Sequence, residues 1–123
     1  MSLEALVVDD NRQLAENLAE ILAEEGCRVR MAFSAEEALG AAEAVCPDFV
    51  LTDIRLPGMN GVELIRRLVV RAPEATFLLM TAYTSDQILR DASHLGVVRA
   101  VLPKPLAIDR LLALLPRRPG RAM

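Results

Sequence analysis

Five residues have the types and positions that could do chemistry: three aspartates, one threonine and one lysine. Asp9 and Asp10 directly follow a short apolar run, while Asp53, Thr81 and Lys104 each stand at the end of another. Carboxylates, a hydroxyl and an ammonium group can together bind a cation and an anion. Taken singly, each residue is equally typical of a solvated turn, so the elements that position them decide whether they act together.

Five short runs predict the strands that would position these residues: 5–8, 28–32, 49–51, 77–80 and 97–102. The first, third and fourth runs are apolar throughout, as strands buried on both faces are. Apolar residues at helical spacing follow every run, and three sequence caps indicate helix starts: Asn11, Ser34 with Glu37, and Thr84 with Gln87. Five strands alternating with five helices predict an α/β fold, a doubly wound parallel sheet covered on two faces.

The carboxyl ends of parallel strands meet at one edge of such a sheet, and ligands bind there. We therefore expect the five residues to converge. Three neighbouring carboxylates repel each other, and a hard divalent cation such as Mg²⁺ relieves that repulsion. Carboxylates, Mg²⁺ and a lysine favour phosphoryl transfer, because the metal and the amine neutralise charge on the transferred group. An aspartate can itself be the nucleophile, which gives an acyl phosphate.

These motifs resemble those of the receiver domain of a bacterial two-component response regulator. The matching segments are Asp9-Asp10, Asp53, the loop Leu56-Pro57-Gly58-Met59-Asn60-Gly61, Thr81-Ala82 and Lys104-Pro105. The resemblance implies a flavodoxin-like fold with strand order 2-1-3-4-5. It also implies a receiver domain over residues 4–115, followed by a tail or the start of a linker over 116–123.

The resemblance implies a role for each site residue. Asp53 would accept a phosphoryl group from the phosphohistidine of a sensor histidine kinase or a phosphotransfer protein. Asp10, Asp53 and the backbone carbonyl of Arg55 would ligate Mg²⁺, with Asp9 helping through water. Lys104 would pair with the phosphate. The domain would catalyse only its own phosphorylation and dephosphorylation.

The resemblance also implies how the domain would change conformation on phosphorylation. Thr81 would move to hydrogen-bond the phosphate, and the Lys104–Pro105 peptide bond would be cis. Two departures from the family concern this step: Val101 stands where many receivers carry an aromatic residue, and the stretch from Gly96 to Lys104 is one residue longer than the commonest pattern. We therefore expect the change to be carried by the loop after Thr81, which contains Tyr83, and by the fourth helix.

Partners follow from the same resemblance. The face made by the fourth helix, fifth strand and fifth helix would control an output domain or a separate partner protein, or would form a homodimer on phosphorylation. The net charge of −3 and the 3% aromatic content disfavour direct nucleic-acid binding. No apolar run reaches membrane-spanning length, and the acidic start is unlike a signal peptide, so we expect a cytoplasmic protein without membrane contact.

Three other functions are less compatible with the residues. A phosphatase of the haloacid-dehalogenase type needs Asp-x-Asp after its first strand, whereas Asp9 and Asp10 are adjacent. A nucleotide-binding module needs a glycine-rich loop at that place, which the chain lacks. A degenerate receiver that serves only as an interaction platform would not be expected to keep all five site residues.

Overall fold

The computed structural model describes residues 2–82, 87, 90 and 94–116. The strands with described bounds are β1 (Glu4–Val8), β2 (Arg28–Ala32), β3 (Phe49–Asp53), β4 (Thr76–Thr81) and β5 (Val98–Pro103). The helices are α1 (Arg12–Glu24), α2 (Ala35–Ala44), α3 (Gly61–Arg71) and a C-terminal helix (Ile108–Ala113). The fourth predicted helix, with its cap at Thr84, falls on a stretch that lies mostly outside the described residues.

All five strands pair in parallel, in the order β2-β1-β3-β4-β5. The prediction of a doubly wound sheet with this order is therefore confirmed. β3 is buried at every position, while β2 and β5, the two edge strands, carry exposed residues. The apolar run 49–51 thus occupies the centre of the sheet, as its composition indicates.

Alternate side chains of each strand feed two separate cores. Leu6, Val50 and Leu79 point to the core shared with α2 and α3. Val7, Leu51 and Leu78 point to the other core, which includes α1 and the C-terminal helix. Both faces are packed with apolar side chains, and the buried polar residues Thr52, Asp53 and Thr81 lie at or next to the carboxyl ends of β3 and β4.

The helix starts are fixed by side-chain caps. Asn11 accepts a hydrogen bond from the Leu14 N–H at 3.1 Å, and Asn60 accepts one from the Glu63 N–H at 2.8 Å. Both caps lie at the carboxyl edge of the sheet, directly after the loops that leave β1 and β3. The Asn11 N–H also donates to Asp9 Oδ1 at 2.9 Å, which ties the start of α1 to that aspartate.

The pairing of β5 with β4 is irregular at one position. Phe77 pairs with Val98 and Leu78 pairs with Ala100, so Arg99 has no partner of its own on β4. Beyond this point the register is regular, and Thr81 pairs with Pro103. The irregularity lies early in the strand, and Lys104 follows its regularly paired end.

Among the described residues, no helix has the length and apolar composition needed to cross a membrane.

Candidate functional site

The carboxyl edge of the sheet brings the predicted residues together. Asp9 and Asp10 follow β1, and Asp53 ends β3 on the neighbouring strand. Asp9, Asp10 and Asp53 each offer a carboxylate oxygen to a cluster in which these atoms all lie within 4.8 Å of one another. Such closeness of three acidic groups calls for a compensating positive charge.

Lys104, the residue directly after β5, supplies that charge. Its Nζ donates hydrogen bonds to Asp9 Oδ2 at 2.8 Å and to Asp53 Oδ2 at 3.0 Å. The Asp9 side chain is fully buried, and those of Asp53 and Lys104 are 11% and 20% exposed. The lysine thus joins two carboxylates that precede it in the chain by 95 and 51 residues.

The environment of Lys104 favours the charged ammonium form. Burial by itself lowers the pKa of this lysine, but the hydrogen bonds to Asp9 and Asp53, together with their negative charges, outweigh it and raise the pKa above the ordinary 10.5. The side chain is therefore cationic at neutral pH. A permanent positive charge beside two carboxylates is suited to binding an anion.

Backbone donors hold the second oxygen of each buried carboxylate. Asp9 Oδ1 accepts from the Asn11 N–H at 2.9 Å, and Asp53 Oδ1 accepts from the Arg55 N–H at 3.2 Å. Asp10, in contrast, is exposed to solvent. Asp9 and Asp53 are consequently fixed in orientation, while Asp10 is the carboxylate most accessible to an ion from solution.

Gly61 is a positioning residue, to which the sequence analysis gave no role beyond its place at the end of the loop from Leu56. It is buried at the first position of α3, and its N–H donates to the Ile54 carbonyl at 2.6 Å. A Cβ here would collide with the backbone carbonyl oxygen of Asp53 and would lie 3.1 Å from Ile54 Cα. Glycine at this place therefore allows α3 to pack against the backbone of the central aspartate. A glycine directly after an N-cap asparagine was the available signal.

Thr81 and Lys104 are linked through their backbones. The Lys104 N–H donates to the Thr81 carbonyl at 2.8 Å, and Thr81 is 4% exposed. The Lys104–Pro105 peptide bond is cis, as the resemblance implied. Threonine and lysine thus leave adjacent strands side by side.

Val101 is half-buried in β5, opposite Leu79, and packs against the core of α2 and α3. It lies two residues before the end of the strand. Tyr83 lies outside the described residues.

The donor set of the acidic cluster fits a hard divalent cation. All the oxygens come from carboxylates, and soft ligands are absent from the cluster of Asp9, Asp10 and Asp53. An oxygen-only site of few ligands is suited to Mg²⁺ or Ca²⁺ and unsuited to zinc or copper.

The doubly wound parallel sheet presents clustered carboxylates and a cationic lysine at its carboxyl edge, where ligands bind in sheets of this class. The family model described as "Response regulator receiver domain" matches residues 5–116. The chain belongs to this family, and is the receiver domain of a two-component response regulator.

Two relatives illustrate the family. A response regulator receiver protein of Anaeromyxobacter is 46% identical over 109 residues, which are 89% of this chain and 45% of that protein. Sporulation initiation phosphotransferase F of Bacillus subtilis is 31% identical over 111 residues, which are 90% of this chain and 89% of that protein. The chain therefore spans less than half of the first relative and most of the second.

The solved structures agree with this assignment. A response regulator from Burkholderia pseudomallei, whose crystal structure holds a phosphorylated aspartic acid, a calcium ion and citrate, superimposes with a TM-score of 0.85 at 34% identity. The match covers 94% of this chain and 67% of that one.

Proposed function

We propose that this receiver domain is a phosphorylation-dependent switch that accepts a phosphoryl group onto Asp53 in an Mg²⁺-dependent reaction. The donor is the phosphohistidine of a sensor histidine kinase or of a phosphotransfer protein. Phosphorylation then changes the face formed by the fourth helix, β5 and the C-terminal helix. That face acts on an output domain, on a separate partner protein or on a second copy of the chain.

The observation that carries this proposal is the double contact of Lys104 with Asp9 and Asp53. An ordinary surface lysine pairs with one exposed carboxylate, and such a pair contributes little to the free energy of unfolding. Here the ammonium group is largely buried between two carboxylates at the ligand-binding edge of the sheet. Its charge remains available when a phosphoryl group joins the Asp53 oxygen, and it can then pair with the phosphoryl oxygens.

The transfer itself needs little from the protein beyond positioning and charge. A carboxylate oxygen of Asp53 forms a bond to phosphorus while the bond between phosphorus and the histidine nitrogen breaks. The imidazole keeps the electron pair of the broken bond. Lys104 neutralises part of the charge on the transferred group, and Thr81 contributes its hydroxyl to a phosphoryl oxygen.

Asp10, Asp53 and the backbone carbonyl of Arg55 would hold Mg²⁺, with Asp9 acting through water. When bound, the ion neutralises negative charge on the transferred group and on the carboxylates around it. The carboxylate-only cluster of Asp9, Asp10 and Asp53 supports this choice. Mg²⁺ commonly binds proteins through one or two carboxylates and retains several waters.

The proposal also sets the limits of the molecule's activity. The receiver domain occupies residues 4–115, and 116–123 is a tail or the start of a linker. The domain catalyses only its own phosphorylation and dephosphorylation, acts in the cytoplasm and does not itself bind nucleic acid or membranes. Because the chain spans 45% of its Anaeromyxobacter relative, its output can reside in another part of a longer protein.

A stoichiometry measurement tests this proposal against a phosphatase. The protein is incubated with Mg²⁺ and excess acetyl phosphate, and intact mass and released phosphate are followed together. We expect one phosphoryl group per chain and slow release of phosphate that tracks the decay of the modified protein. Rapid release of many phosphates per chain without a modified species would overturn the proposal.

A further inference from the structure

Arg12 is a cation at the start of α1, the helix that follows Asp9 and Asp10. It is the first residue of α1, two positions after Asp10, and its guanidinium carbon lies 4.0 Å from the centroid of the Phe33 ring. Phe33 follows the last residue of β2. Because the Asp9 N–H donates to the Ala32 carbonyl at 3.1 Å, Phe33 leaves the sheet next to the carboxylates.

The amino end of α1 does not by itself favour an arginine at this position. The amino end of a helix carries a partial positive charge, so a cation there is unfavourable and an acidic residue is favourable. The first turn of α1 nevertheless contains no acidic residue, and the helix start is already capped by Asn11. Within the described part of the chain, Arg12 makes no ion pair with a carboxylate.

The charge balance of the site gives Arg12 a role. Three carboxylates lie at the edge, and the ammonium of Lys104 is already shared by two of them. A phosphodonor is itself negatively charged and would be repelled by the excess negative charge of the carboxylates. Besides Lys104 on the β5 side and Arg55 after β3, Arg12 adds a further cation on the β2 side of this edge. Stacking on an aromatic ring holds an arginine in place while leaving its charge directed to solvent.

We infer that Arg12, seated on the Phe33 ring, attracts the incoming phosphodonor and so sets the rate at which Asp53 is phosphorylated. The inference rests on the proposed function and deepens it. The species attracted is a phosphoryl group with two negative charges, whether carried by a small acyl phosphate or by a phosphohistidine. Arg12 acts through its charge, and Phe33 is a positioning residue that fixes where this charge lies.

The first experiment measures phosphorylation of Asp53 by acetyl phosphate, with Mg²⁺ and at low salt, from intact mass over time. Arg12→Gln should lower the rate constant roughly three- to tenfold, as loss of one steering charge does. At about 1 M salt, where the screening length is about 3 Å, the rates of wild type and variant should converge. Arg66→Gln removes an equal charge from an exposed position on α3 and should leave the rate unchanged.

Two further variants separate charge from position. Phe33→Leu keeps Arg12 but removes the ring beneath it, and should reproduce part of the loss. Phosphoramidate, a small donor with a P–N bond, carries one less net negative charge than acetyl phosphate at neutral pH because its amine is protonated. Its rate should therefore fall less than that of acetyl phosphate in Arg12→Gln. A purely structural effect of the substitution would lower both rates equally and would overturn the inference.

In Arg12→Gln, the affinity for Mg²⁺ should change in the direction opposite to the phosphorylation rate. Arg12 repels Mg²⁺, so Arg12→Gln should bind the ion roughly two- to fivefold more tightly in calorimetric titration. Unaltered or weaker Mg²⁺ binding together with an unaltered phosphorylation rate would refute the role of Arg12 while leaving the proposed function intact. If the wild type accepts no phosphoryl group from either donor, the proposed function itself fails.

Discussion

Substitution of Gly61 by alanine would displace the backbone that carries Asp53 without changing any charged side chain of the site. The new Cβ would collide with the carbonyl oxygen of Asp53 and press on the backbone of Ile54. Since ordinary contacts begin near 3.4 Å, α3 or the end of β3 must move by roughly 1 Å to accept the methyl group. Both neighbours are backbone atoms, so no side-chain rotation can relieve the collision.

Stability and function should both fall. Overpacking of a filled site costs about 1–3 kcal/mol, and for a domain of this size that lowers the melting temperature by roughly 4–12 °C. A displacement of about 1 Å at a reacting group can reduce a rate about 100-fold. Because the clash partner belongs to Asp53, we expect phosphate incorporation from acetyl phosphate to slow by roughly 10- to 100-fold.

Gly40→Ala is the matched control. Gly40 is an exposed residue inside α2, and a Cβ there meets nothing within 4 Å. Alanine in a helix interior is better than glycine by about 0.5–1 kcal/mol, so this variant should melt slightly higher than wild type and be phosphorylated at the wild-type rate. The reasoning is refuted if Gly61→Ala melts as Gly40→Ala does and takes up phosphate equally fast.

Three other predictions follow from the site. Asp10→Ala should abolish Mg²⁺ binding and phosphorylation without lowering the metal-free melting temperature, because it removes an exposed member of a repelling cluster; a clear drop in melting temperature would contradict this. Lys104→Arg should still be phosphorylated but should undergo a smaller conformational change, since a planar guanidinium cannot replace an ammonium group shared by Asp9 and Asp53. Amide spectra of the phosphorylated variant that match those of phosphorylated wild type would contradict this prediction. On phosphorylation, changes in amide chemical shift should be largest over 82–95 and small at Val101, a stiff β-branched residue. Changes confined to α1 would exclude a conformational change through the loop after Thr81 and the fourth helix.

The sequence predicted most of the sheet and the convergence of its polar ends. Short apolar runs such as 49–51, bounded by polar and turn residues, favour a strand covered on both faces, and a residue just after such a run then lies at the carboxyl edge. Asp9, Asp53 and Lys104 could be brought together by this reasoning alone. The prediction holds because it depends on where strands end, and each end is visible in the sequence as the change from an apolar run to polar residues.

Contacts set by tertiary packing could not be predicted. The role of Gly61 depends on how closely α3 approaches the backbone of Asp53, and no local pattern records that distance. That Arg99 has no partner on β4 follows from how β5 pairs with β4, which no local pattern in the sequence shows. The stacking of Arg12 on Phe33 joins two segments that are remote in sequence.

The most direct test of the central claim is the mass of the protein after incubation with Mg²⁺ and acetyl phosphate, compared between wild type and Asp53→Asn. Asparagine preserves the size of the side chain but removes the nucleophilic carboxylate. The account predicts that wild type gains the mass of one phosphoryl group and that Asp53→Asn gains none. Equal incorporation by Asp53→Asn, with the phosphate mapped to another residue, would contradict it.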